Sequence, residues 1–297
     1  MTLARSAPRW GIAISGFAAA LVLMLVLGTS QGRGAAAEFL AEFRGERLVG
    51  MSLSTGQIAN VEETLSEIEH LGTVRGMDTV PEMRSVASIA EASQFVGFEV
   101  LEPDAAALPA GLASTPTAIR VIPAQDVSVT FDREKALTYY QSIGQGDVSF
   151  PERFDGASLV VNTPPGVLLE YRRRDDTIKG PLGIGLLVGQ AGVVTVSAEG
   201  GVTLDDLRDF LLELPRLSPE TAQQLRMIDE WRTTLPLPIP ADRIAWERAT
   251  IAGSSGLLLN DNTGLGSAAL WQRDGRIYAI AGAMKAEEIK RVADTLR

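Results

Sequence analysis

Residues 257–282 read LLLNDNTGLGSAALWQRDGRIYAIAG. Asp274-Gly275 joins two apolar runs through two residues, the strongest short signal of a tight β-hairpin. That register sets Trp271 opposite Tyr278 and Leu270 opposite Ala279. The stretch is also dense in Gly, Asp and Asn, which cradle phosphate, bind calcium or make turns. A calcium loop needs alternating acids and a distal glutamate at fixed spacing. Asp261–Gly266, DNTGLG, has neither and reads as a looser hairpin loop. Upstream, IAWERATIAG and GLLLN read as strands. Downstream, a last helix sets Ile289, Val292, Ala293 and Leu296 on one face. The C-terminal part is therefore strand, strand, hairpin, helix.

Alternation organises much of the remaining body. DVSVTF (Asp126–Phe131) puts Val127, Val129 and Phe131 on one face and Ser128 and Thr130 on the other. A strand with one wet face belongs to an antiparallel sheet. ASLVVN and VLLEYR flank TPPG, where Pro165-Gly166 suits a type II turn and predicts a hairpin. GIGLLVGQ, VVTVSAE, FEVLEP and Arg47–Leu53 add strands, and LPAGL a turn. LPLPIP (Leu235–Pro240) must be extended and cannot be central in a sheet, since proline has no N–H. It reads as a stiff connector.

Helices fall between these strands. QIANVEETLSEIEHLG spaces Ile58, Val61, Leu65 and Ile68 helically, with Gly72 suited to the C′ position. Ser88 and Glu91 form a capping box, and Gly97 ends that helix. Asp132 caps a helix that stops at Gly144, Thr203 caps another, and Ser218 with Pro219 opens a third. The fold class is α+β, an antiparallel sheet with packed helices.

Composition restricts the chemistry. The 297 residues carry a formal net charge of −10, which disfavours nucleic acid. With no cysteine, thiol catalysis, disulfides and cysteine metal sites are excluded. The single histidine, His70, ends an acidic helix and reads as a surface residue. There is no G-x-S-x-G elbow and no S-x-x-K. The glycines of GPLGIGLLVG precede a strand, whereas a phosphate loop must open a helix. Neighbouring acid pairs do not converge on one substrate. No catalytic, cofactor-binding or metal-binding residue is assigned, and no cofactor is expected. The candidate partner or ligand surface is Tyr171, Arg172, Arg173 and Arg174, from the one basic cluster, with Trp271 and Tyr278.

Gly11–Gly28, GIAISGFAAALVLMLVLG, contains no charge and comes close to the length that crosses a bilayer. Arg5 and Arg9 before it put the N-terminus in the cytoplasm and the body outside. A cleaved signal peptide is the rival, with Gly34–Ala37 as its cleavage site. The long apolar run and Arg33 favour retention. The expected layout is a cytoplasmic N-terminus at 1–10, a transmembrane anchor at 11–28 and a juxtamembrane segment with a helix at 29–84. An extracytoplasmic α+β domain follows at 85–297, with a sub-boundary near 235–240.

Two segments carry a family resemblance. SIAEASQFVGFEVLEPDAAALPAGL resembles a helix followed by GF-x-V-x-x-P and LP-x-G. GSAALWQRDGRIYAIAGAMKAEEIKRVADTL resembles a tryptophan hairpin and a helix. Together they resemble the bacterial extracytoplasmic domain of unknown function associated with anti-sigma factors, distantly similar to the MucB/RseB and lipoprotein-carrier group. The resemblance covers about a quarter of the chain and carries no catalytic residue. It implies a curved antiparallel sheet with helices packed on it and a sensory or regulatory role at the outer membrane face. A protein partner, an anti-sigma factor, follows from it. The alternatives are a carrier holding an apolar ligand against the sheet, lined by Val129, Leu169 and Val196, and a wall-directed enzyme, for which the sequence supplies no site.

Overall fold

The computed structural model describes residues 43–44, 47–76, 82–174, 184–214, 217–228, 233–264 and 266–297. The expected anchor at 11–28 lies outside these residues. Among the described residues, no helix is long and apolar enough to cross a membrane. The fold is α+β, with two large antiparallel sheets and a two-stranded parallel one.

The C-terminal hairpin forms as its sequence directs. β14 (Ser267–Arg273) pairs with β15 (Arg276–Gly282), with Trp271 opposite Tyr278 and Leu270 opposite Ala279. Asp274 and Gly275 both take positive φ, 52° and 70°. This hairpin lies in an eight-stranded sheet. The order is β12 (Ile244–Ile251), β13 (Ser254–Asp261), β14, β15, β9 (Ile184–Gly192), β8 (Gly166–Arg172), β5 (Ala118–Ile122) and β4 (Arg84–Val86). A second sheet runs β1 (Phe43–Arg44), β10 (Thr195–Glu199), β7 (Ser158–Thr163), β6 (Gln125–Phe131) and β3 (Gly72–Arg75).

The hairpin expected at TPPG is not one. β7 pairs with β6 and β10, whereas β8 pairs with β5 and β9. Three consecutive strand pairs, β5–β6, β7–β8 and β9–β10, each pass from one sheet to the other at the same level. Pro123, Pro164 and Pro165 fall at two of these breaks, and a residue without an N–H removes a hydrogen bond from the ladder there. At the third, a Cβ on Gly192 would lie 2.7 Å from Pro164 Cγ, so the glycine lets that strand pass the proline ring. The prolines here break the sheet without reversing the chain.

Two further expectations change. Gly72 is not a left-handed cap. It pairs with Phe131, and a Cβ there would meet Thr130 O at 2.1 Å, so close approach is what requires glycine. FEVLEP joins no strand ladder among the described residues. The buried Gln190 side chain clamps it, donating to Leu101 O at 2.7 Å and accepting from Leu101 N at 2.9 Å.

LPLPIP is extended, and it is more than a connector. β11 (Thr234–Pro240) pairs in parallel with β2 (Arg47–Leu53), burying Leu235, Leu237 and Ile239. Alternate prolines leave positions without an N–H, a device that blunts sheet edges. Gly50 on β2 admits the Trp246 ring, whose Nε1 donates to Ser52 Oγ at 2.9 Å. The boundary expected at 84/85 does not separate two units either. β1, β2 and β3 precede it and pair with β10, β11 and β6 beyond it.

Helices close two cores. α1 (Thr55–Ile68) carries Ser54 as cap. Thr55 adds a bond to Asp242, through its hydroxyl at 2.5 Å and its N–H at 3.1 Å. α2 (Ile89–Val96) and α6 (Ala286–Ala293) bury Ala92, Val96, Ile289 and Val292 against Val121, Leu169, Val188, Trp271 and Ile280 on one face of the large sheet. α3 (Arg133–Ser142), α4 (Leu204–Leu212) and α5 (Pro219–Arg226) follow. Tyr140 of α3 and Phe210 of α4 join Phe131, Phe150 and Phe154 in the second core, which also takes Leu257, Leu270 and Ile277 from the large sheet. Phe150 and Phe210 meet edge-on at 5.3 Å.

The Thr55 hydroxyl, above all, holds the Asp242 carboxyl below its usual pKa. A depressed folded pKa gives stability that is present above the unfolded value of about 4 and is lost as pH falls through the folded one. Asp242→Asn should lower Tm at pH 7, and the gap to wild type should narrow as pH falls from about 4 through the depressed folded value. A gap that stays constant with pH in thermal melts would refute this linkage.

Candidate interaction surface

β5 reads AIRVI and β8 reads GVLLEYR. Arg120 of β5 and Glu170 and Arg172 of β8 all face away from the helices. Leu168 lies opposite Arg120, and Glu170 opposite Ala118, so Arg120 and Glu170 are diagonal neighbours on one face. Arg120 Nη1 donates to Glu170 Oε1, and Arg172 Nη2 lies 3.4 Å from Glu170 Oε2. The Glu170 side chain is 1% exposed, while those of Arg120 and Arg172 are 35% and 37% exposed. A buried carboxylate needs such partners. Both arginine side chains stay about one-third exposed while they pair with it. Half-buried Ala118, Ile122, Leu168 and Leu187 surround them.

The alternation of β8 divides the expected surface. Val167, Leu169 and Tyr171 face the helices, whereas Leu168, Glu170 and Arg172 face the other way. Arg173 and Arg174 are exposed. The backbone here is fixed by the LPAGL turn, because Ala113 N donates to Arg172 O at 2.9 Å and Arg174 N to Gly111 O at 2.8 Å. Tyr171, Trp271 and Tyr278, expected as surface, are instead core residues, at most 1% exposed. Burial, and then the nearby Glu102, pushes the Tyr171 hydroxyl well above its ordinary pKa. Trp271 stacks on Tyr278 with ring centroids 5.4 Å apart. The residues named for an apolar ligand also separate. Leu169 belongs to the core under α2 and α6, while Val129 and Val196 belong to the other.

No sequence signal pointed to the edge beside the arginines. β4 ends the large sheet and, among the described residues, pairs only with β5. Met83 immediately precedes it, 51% exposed, and Phe95 of α2 is 36% exposed. Glu91, four residues before Phe95 on the same flank of α2, accepts from Ala87 N at 2.8 Å just beyond β4. Ser93, on the other flank, accepts from Val100 N at 3.0 Å. Phe95 belongs to the helix that packs over β4 and β5. By the alternation of β4, Met83 falls on the face of Ser85, which pairs with Arg120.

A second titratable cluster lies between α1 and α3. Glu67 is 1% exposed and accepts from the Tyr139 hydroxyl at 3.2 Å, while exposed His70 stacks on Tyr139 with centroids 4.6 Å apart. Burial, then Glu67, pushes the Tyr140 hydroxyl far up. These contacts tie α1 to α3. Among the described residues, no three histidine, aspartate or glutamate side chains gather as a metal site. No protein-family model matches the chain, and neither a curated protein nor a solved structure does.

Proposed function

We propose that the chain is a membrane-anchored, extracytoplasmic sensory or regulatory binding module without catalytic activity. Its partner is a protein, and the family resemblance makes an anti-sigma factor the first candidate. The apolar run at 11–28 behind Arg5 and Arg9 supports the anchor and its orientation. The observation that carries the binding role is the corner made by β4, β5 and β8. There, among the described residues, β4 has one strand neighbour, Met83 and Phe95 are exposed, and Arg120 and Arg172 are partly exposed. Exposed apolar groups gathered beside polar ones mark interaction sites on soluble bodies.

Native mass spectrometry of the full-length protein, extracted gently from its own membranes, tests this reading. A bound polypeptide in fixed ratio is expected. A small apolar adduct without any polypeptide would overturn it in favour of a carrier, and the bare chain alone would overturn both. The intact mass also shows whether residues 1–37 are retained.

A further inference from the structure

We propose that Asp274 is a modification site, where the main chain isomerises to an isoaspartyl linkage. This stands apart from the binding role and does not rest on it. It arises at the turn that fixes the C-terminal hairpin.

Asp-Gly occurs twice in the chain, at 155–156 and at 274–275. Glycine places no side chain beside its own nitrogen, so that nitrogen can reach the preceding carboxyl. The first step is attack of Gly275 N on Cγ of Asp274 in its acid form. A C–N bond forms, the carboxyl hydroxyl leaves with the amide proton as water, and a five-membered imide closes. Water then adds at the Asp274 main-chain carbonyl and breaks its bond to nitrogen. The chain now runs through the side-chain carbonyl, longer by one methylene, and the main-chain carboxylate is free. One water leaves and one enters, so no other reactant is consumed.

Local structure separates the two sites, although both aspartates are exposed. Gly156 N donates to Phe131 O at 3.0 Å, and Asp155 Oδ1 accepts from Arg133 N at 3.0 Å. Attacking and attacked groups are both held there, and both bonds must break before they can meet. At the hairpin tip the Asp274 side chain is 80% exposed, and its contact with Arg273 is long, at 3.7 Å. Among the described residues, Gly275 N has no hydrogen-bond acceptor. A Cβ built on Gly275 would meet nothing within 4 Å, so the imide ring has room. Asp274 also holds φ at 52°, left-handed backbone that an L-residue disfavours. The two-residue turn sets the pairs Arg273↔Arg276 and Trp271↔Tyr278, so an added methylene there loosens the end of the hairpin.

The test keeps the full chain in detergent near neutral pH, in water enriched in oxygen-18, with samples taken over weeks. Cleavage after glutamate puts Asp155 and Asp274 in separate peptides, and electron-transfer fragmentation distinguishes isoaspartate from aspartate. Isoaspartate carrying a heavy oxygen should accumulate at 274 at least about tenfold faster than at 155, the factor set by opening two hydrogen bonds. In urea the two sites should react at similar rates, because the fold alone separates them. Similar rates in the folded chain, a faster rate at 155, or reaction at 274 only in urea would each overturn the proposal. A gap of the same size in urea would do so too, since flanking sequence would then account for it.

Discussion

Trp271→Ala is expected to destabilise the fold by about 3–5 kcal/mol, read as a lower urea midpoint by circular dichroism. The indole is fully buried and stacks on Tyr278. Its cross-strand neighbour on β13 is Gly256, where a Cβ would lie 2.8 Å from Trp271 Cβ. That close approach leaves no small shift by which the sheet could fill the gap. Among the described residues, Trp271 Nε1 has no hydrogen-bond acceptor. The cost of truncation is therefore cavity and lost burial, with no broken hydrogen bond. Trp271→Phe keeps an aromatic ring and removes the unsatisfied N–H, so it should cost less than about 1.5 kcal/mol. Equal losses for alanine and phenylalanine would contradict this view of the site.

Arg120→Ala is the second large effect, expected at about 2–3 kcal/mol. Breaking a buried ion pair from one side costs about 3–5 kcal/mol in general. Two features reduce it here. Arg120 is itself about one-third exposed, and Arg172 stays within 3.4 Å of Glu170. The joint variant Arg120→Leu with Glu170→Leu should recover most of the loss, because an apolar pair of similar shape strands no charge. A double-mutant cycle in urea measures the coupling. A loss below about 0.5 kcal/mol for Arg120→Ala would mean that water reaches Glu170.

Local signals were legible in the sequence. Asp274-Gly275 set the hairpin and its register, and Asp132, Thr203 and Ser218 each cap the helix they precede. The errors arose where a local pattern has two uses. Pro-Pro-Gly at 164–166 suits a turn, yet the proline that closes a hairpin also ends a ladder. Gly72 suits a helix end, yet glycine also permits close approach. Tyr171 sits beside three arginines in the sequence but faces the opposite side of β8 from Arg172. Nothing local announces that β2 pairs with β11, nearly two hundred residues away. The Arg120–Glu170 pair had a faint signal, one charge of each sign inside an apolar strand. Recognising it required knowing that β5 and β8 are neighbours.

A cysteine-free chain permits one direct test of the docking corner. A photo-crosslinker on Ser85→Cys, at the exposed edge of β4, is compared in native membranes with one on Thr250→Cys, exposed on β12. A single polypeptide adduct of defined mass from position 85, absent from position 250, is the predicted result. Adducts at both positions, at 250 alone or at neither would contradict the assignment of the partner to this corner.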